Sequence, residues 1–356
     1  PLKIKTFAMS VHPDLRKGGG ASYAHANNFD AIRIIAALAV LVSHHFALVG
    51  QFEPSILGLH TLGGAAVLVF FLISGYLVTA SWLTDPDFIR FGLRRALRVL
   101  PALAAVVVAT AYGLGSWTTS LSINEYLSQK ATHSYISNIW MVGQGWLPGV
   151  FENNPLPRAV NGSLWTIPIE VQCYAVLACA GAIGLLRIKT IWLLLVGIAI
   201  LGYQFKFGAD FHSEWKLKRE MIMYFFTGSA IFRLKPHWSQ RRNLWTAAIL
   251  CATLFSWFLD FKYIAFWLLL SYFVIYFGTQ ATPFIRKAGH WGDPSYGIYL
   301  IAFPVQQTII MQFLPTYGFT FTLALSVGIT VTLAYISWHS LEKIALQFKP
   351  NKRPEP

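Results

Sequence analysis

Apolar residues fall along this chain in long runs, each closed by charged or turn-forming residues. Ten runs stand out, at roughly 31–50, 63–83, 97–116, 167–186, 190–206, 221–234, 243–259, 262–280, 295–314 and 319–340. A helix needs about 20 apolar residues to cross a bilayer, and most of the runs have that length. The sixth is short and predicts a broken or tilted helix. A membrane barrel would show about ten alternating residues per strand, which this chain lacks. The pattern predicts an all-α fold, a polytopic transmembrane helical bundle of about ten spans. Residues 117–166 separate the third and fourth runs and carry Trp140, Trp146, Pro148, Pro155 and Pro157. Loops longer than about 15 residues are usually functional or disordered. The aromatic content argues against disorder, so this segment is expected to dip into the membrane or cap a cavity. No internal repeat is visible, so the inverted-repeat signature of many transporters is missing.

Composition sharpens that reading. Of 356 residues, 55% are hydrophobic and 12% charged, against about 25% charged in a soluble domain. The net charge of +13 reads as membrane orientation rather than nucleic-acid binding, because Lys and Arg collect in cytoplasmic loops. With the N-terminus cytoplasmic, 20 of the 28 Lys and Arg fall on that side, 7 on the other, and Arg33 within the first run. This split predicts that both termini are cytoplasmic. The expected division is a cytoplasmic segment 1–28, a membrane domain 29–348 with residues 117–166 non-cytoplasmic, and a cytoplasmic tail 349–356. Residues 1–28 are polar and show no cleavable leader pattern. Cys173, Cys179 and Cys251 lie in apolar stretches and read as packing residues.

Ionisable groups inside a span cost roughly 2.5–3.5 kcal/mol at its centre, so they mark function. The first run, FDAIRIIAALAVLVSHHF, places Arg33 and His44 eleven residues apart. That is about 20° from three full turns and roughly 16 Å along the axis. Asp30 falls about 40° from the same line, so Asp30, Arg33 and His44 form one polar stripe, while His45 lies about 100° away. Snorkelling to the interface is the plain alternative for Arg33. His44 has a side chain suited to taking and returning a hydroxyl proton. Ser74-Gly75 interrupts the second run and could leave room for a ligand; the earlier Gly63, Gly64, Ala65 and Ala66 read as helix packing. Arg90, Arg94 and Arg95 precede the third run and Arg98 opens it. They serve orientation or, through bidentate guanidinium forks, phosphate binding, with Arg95 and Arg98 nearest the span. NGSLWTIPIEVQCYA puts Glu170 inside the fourth run, with Asn161, Ser163 and Trp165 just before it as candidate substrate contacts. Tyr296 and Tyr299 open the ninth run, where interfacial anchoring is the alternative. No metal is implied, since the His residues lack ligand spacing.

These segments together resemble acyltransferase family 3, membrane proteins that O-acylate glycans and related acceptors. FDAIRIIAALAVLVSHH matches its Arg–ten residues–His motif, FFLISGY its Phe-Phe-x-x-Ser-Gly block, and RRALRVLP its Arg block. NGSLWTIPIEVQCY, SYGIYLIAFP and SLEKIALQF match its later blocks. The matches run in family order over about 29–348. The resemblance implies ten or so spans, an acyl-CoA donor, usually acetyl-CoA, on the cytoplasmic side, and a carbohydrate or lipid-linked glycan acceptor. It implies a bacterial inner (cytoplasmic) membrane, essential roles for His44 and Arg33, and carry-over of the Arg block to Arg95 and Arg98 and of the intramembrane Glu to Glu170. Ser74, Tyr296 and Tyr299 are expected beside the donor, and Asp30 and Glu170 with His44 in the chemistry. Ala302 departs from the pattern, since many members carry His there. Either that His is dispensable or the chain belongs to a subgroup with another acceptor geometry. From the residues alone a second class stays open, a proton-coupled transporter or flippase of a glycan or lipid precursor, as does a structural assembly subunit.

Overall fold

The computed structural model describes residues 27–207 and 216–351. Most of the expected N-terminal segment 1–28, and residues 352–356 of the expected tail, lie outside the described residues. The long helices are α1 (Phe29–Leu48), α2 (Leu62–Thr84), α3 (Phe88–Val108), α4 (Ile167–Ala182), α5 (Lys189–Phe207), α6 (Lys216–Trp238), α7 (Arg242–Phe258), α8 (Lys262–Gly278) and α9 (Ser295–Ser337). Among the described residues, five helical stretches are long and apolar enough to cross a membrane: Phe29–Leu48, Leu62–Thr84, Phe88–Thr118, Leu164–Ala182 and Ser295–Gln347. The chain is an integral membrane protein, and strand among the described residues is confined to a hairpin of two-residue strands pairing Ser55 with Thr61 and Ile56 with His60.

Three departures from the apolar-run reading have local causes. α3 begins nine residues before the expected span because Asp87 caps it, accepting from the Arg90 amide at 2.9 Å; the Arg block forms its first turns. α6 has 23 residues, so the sixth element is not short; its charged ends hid its length. The last two runs form one helix, α9, bent at Gly318, whose φ of 71° and ψ of −173° break the helical path. Pro315, three residues earlier, also withholds an amide donor from the ladder.

α2 is the hub of the bundle and packs most extensively on α6. Their backbones touch: a Cβ on Gly75 would stand 1.8 Å from the Phe225 carbonyl oxygen, and one on Gly228 2.1 Å from that of Leu72. Without water to drive helices together, such close approach is how membrane helices gain contact. So Gly75 leaves room for α6, not for a ligand. α1 packs on α2 and α9, which carries the polar stripe of α1 toward the start of α9.

The connection between α3 and α4 is ordered. Ser122 and Glu125 form a capping box, Asn154 donates to the Gln307 backbone oxygen at 2.9 Å, and Gln307 donates to Leu156 O and Ala159 O. Its tip, Ile139–Met141, lies back along α3.

Candidate active site

A cavity of about 130 Å³ opens where α2, α3, α4 and the start of α9 meet. Seven of the residues singled out in the sequence line it: Arg33, Ser74, Arg95, Arg98, Glu170, Tyr296 and Tyr299. They come from five separated stretches of chain, and the helical faces described above bring them together.

One wall is a chain of charges. Arg33 Nη1 meets Asp30 at 3.1 Å and Asp293 at 3.2 Å. Arg98 Nη2 meets the same Asp293 oxygen at 2.6 Å, and its Nη1 meets Glu342 at 3.5 Å. Asp293 also accepts from the backbone amide and hydroxyl of Ser295. Burial pushes the Asp293 carboxyl up, but Arg98 and Arg33, with Ser295, outweigh it and hold the group below the usual carboxylate range. Two guanidiniums thus face three carboxylates. Asp30 serves this chain and does not line the cavity.

The opposite wall holds Glu170. Its Oε1 accepts from Ser74 Oγ at 2.9 Å and from Tyr174 Oη, and Ser74 and Tyr174 lie 3.0 Å apart. Above this triad the Arg95 guanidinium stands 5.9 Å from the Tyr174 ring centroid and 5.9 Å from that of Phe91. Among the described residues Arg95 makes no hydrogen bond or ion pair, and its Nε is buried without a partner. Arg94, by contrast, is bound to Asp85 at 2.6 Å, together with Arg90, and closes the α2–α3 turn. Lys349 has its ammonium pushed down to about 8 by burial and by the Arg95, Arg98 and Arg94 guanidiniums. It lies within electrostatic range of Arg95 and does not itself line the cavity.

The inner floor is aromatic. Tyr299 and Phe70 meet ring to ring at 5.9 Å, and the Tyr299 hydroxyl lies 2.6 Å from Thr166 Oγ1. His44 is not among the lining residues. Its ring stands edge-on to Phe303 at 5.4 Å, with Nδ1 buried and without a hydrogen-bond partner among the described residues. Phe303 follows Tyr299 by four residues, about 6 Å along the helix, so His44 sits one turn beyond the floor. Glu170 is tied to Ser74 and Tyr174 rather than to His44. His45 points elsewhere, between Gln306 and Thr322.

The expected substrate contacts divide. Asn161 is buried and donates to Leu300 O at 2.9 Å while accepting from the Ser163 amide. Ser163 Oγ is buried and unpartnered. Trp165 is half exposed. None of the three lines the cavity. Ala302 is buried with Ala37, Leu41, Ile298 and Ala334, a contact between α1 and α9. Asp293, Glu342, Tyr174, Thr166 and Lys349 were not singled out from sequence. Tyr174 was readable, being four residues after Glu170 and so on its helical face; the carboxylates at 293 and 342 bracket α9 and have no local pattern.

Sequence comparison with known proteins adds an independent line. The sequence profile of the acyltransferase domain matches residues 27–339. The chain is 32% identical to an O-acetyl transferase of Shigella phage Sf6 over 336 residues, covering 89% of this chain and 95% of the relative. It is 24% identical to nodulation protein 10 of Rhizobium leguminosarum bv. viciae over 360 residues, covering 92% and 95%. No solved structure matches.

Proposed function

We propose, for a chain that belongs to acyltransferase family 3, that it transfers an acetyl group from acetyl-CoA on the cytoplasmic side to a hydroxyl of a carbohydrate or lipid-linked glycan. The carrying observation is the cavity among membrane helices that joins a hydrogen-bonded Glu170 to an Arg95 that makes no ion pair among the described residues. The reading includes about ten spans, both termini cytoplasmic, and a bacterial inner membrane as the site of action. The relative named an O-acetyl transferase supports the acetyl group.

In this mechanism Arg95 and Lys349 hold the donor phosphates at the mouth, since a phosphate gains most from a guanidinium that lacks another anion. Arg33 and Arg98, neutralised by Asp30, Asp293 and Glu342, shape the wall along which the pantetheine arm passes. Ser74 and Glu170 orient that arm, and Tyr296 and Tyr299 line its path. The thioester reaches His44 when Phe70 and Tyr299 part. His44 Nδ1, unpartnered at rest, takes the proton of the acceptor hydroxyl. The acceptor oxygen then bonds to the acyl carbon, the carbon–sulfur bond breaks, and the thiolate leaves and collects a proton. Alternatively the imidazole carries the acyl group itself before the acceptor oxygen displaces it; an acyl-protein mass without acceptor separates the two routes. Asn161, Ser163 and Trp165 fix the loop beside Phe303 where the acceptor approaches.

The test is acetyl-CoA turnover by purified protein with a panel of glycans. His44→Ala is expected to lower acceptor-dependent coenzyme A release by at least about a hundredfold, the lower range for general-base loss. Equal release by that variant and the wild type would remove the assignment.

A further inference from the structure

A second, larger cavity lies on the outer side of the same wall. It holds about 440 Å³ and is lined by α3 from Phe88 to Leu100, by Val171, Ala175 and Ala178 of α4, and by the loop tip Ile139–Met141. Arg95, Val99 and Tyr174 are common to both cavities, so one layer of side chains divides them. The cleft runs twelve residues along α3, about 18 Å, more than half of the roughly 30 Å hydrocarbon thickness.

Its shape is unusual for two adjacent membrane helices. α3 and α4 face each other with Gly92, Ala96, Ala175 and Ala178, small residues that normally let helices close. Here a cavity remains between them, with Arg95 beside Tyr174 in its wall, and a Cβ on Gly92 would meet nothing within 4 Å. The rim carries Phe88 and Trp140, with exposures of 54% and 74%, the exposed aromatic character of a lipid-facing boundary. An apolar gap excludes water and, at a bilayer surface, is filled by hydrocarbon. The one cation in its lining is Arg95, which has five N–H donors and no hydrogen-bond or ion-pair partner among the described residues. An anion at that guanidinium satisfies both demands when it is attached to the chain in the cleft.

We infer that the α3–α4 cleft binds one hydrocarbon chain of an anionic phospholipid, whose phosphate lies at Arg95 in the wall of the cavity. Because a guanidinium fork has two edges, Arg95 serves the lipid on one side and the cavity on the other. The inference concerns lipid binding and holds whether or not the protein transfers acyl groups.

Native mass spectrometry after release from nanodiscs of phosphatidylcholine with and without phosphatidylglycerol tests it. The wild type is expected to retain a phosphatidylglycerol through detergent exchange and to release phosphatidylcholine. Ala175→Trp and Gly92→Leu fill the cleft from two helices, so failure of one to fold leaves the other; each is expected to lose the retained lipid at least about tenfold. Arg95→Gln is expected to keep chain occupancy and lose the preference for phosphatidylglycerol. Equal retention of both lipids by the wild type, unchanged retention in the cleft-filling variants, or a second protein copy in place of lipid would each overturn the inference.

Discussion

Asp293 is the residue on which the charged wall closes. One of its oxygens receives both Arg33 and Arg98, and it is buried. Breaking a buried pair from one side costs about 3–5 kcal/mol, because the remaining charge is left without a partner. Asp293→Asn is therefore expected to lower thermal stability in detergent by that amount. Asp293→Leu combined with Arg98→Leu should cost less than the two changes summed, since the double change removes partner and orphan together; additive losses would show that the contact carries no coupling. The pairing was only half legible in the sequence. Arg33, Arg95, Arg98 and Glu170 stand out because ionisable groups are rare in apolar runs. Asp293 and Glu342 do not, because each sits at the boundary of a run, where charge is ordinary. The helical stripe joining Asp30 and Arg33 was readable from their spacing; that His44 lies behind an aromatic floor was not, since the floor is built by Phe70 and Tyr299 from two other helices.

Helix positions were largely legible because apolar runs and capping residues act locally. What the runs could not give was which small residue meets a neighbour and which meets open space. Gly75 and Gly92 look alike in sequence, each inside an apolar or mixed helical stretch. The first is pressed against the Phe225 carbonyl of α6 and the second faces the cleft. The same substitution should therefore have opposite signs. Gly75→Ala forces α2 and α6 apart and is expected to destabilise by about 1–3 kcal/mol, the usual cost of overpacking. It also displaces Ser74 from Glu170. Gly92→Ala adds helix propensity without contact and is expected to stabilise by up to about 1 kcal/mol. Melting temperatures of the two variants, measured in one detergent, decide the matter; a loss at Gly92 equal to that at Gly75 would mean that α3 and α4 close on each other.

At the scale of the molecule, the described residues pair the cations around the cavity with carboxylates, apart from Arg95, which makes no ion pair. Arg33 and Arg98 face three carboxylates, and Arg90 and Arg94 share Asp85, while Lys349 is crowded by Arg95, Arg98 and Arg94. This crowding sets a pH dependence. Burial and the neighbouring guanidiniums bring the Lys349 ammonium down from 10.5 to about 8. A cation whose value is lower in the folded than in the unfolded chain opposes folding while it is charged. That opposition is complete below about 8, and it fades as pH climbs toward 10.5. Binding has the other sign, because the charged ammonium attracts the donor phosphates, an attraction that is lost as pH rises through about 8. Lys349→Gln is thus expected to raise the melting temperature of the free protein at pH 7 and to raise KM for acetyl-CoA about two- to fivefold, the range of a partly exposed charge contact. In the wild type KM should climb between pH 7 and 9, and in Lys349→Gln that climb should vanish. Lys349→Arg, which holds its charge throughout, should keep the low KM to the top of the range. An unchanged pH profile in Lys349→Gln would mean that the tail does not meet the donor, and that Arg95 alone supplies the anion site at the mouth.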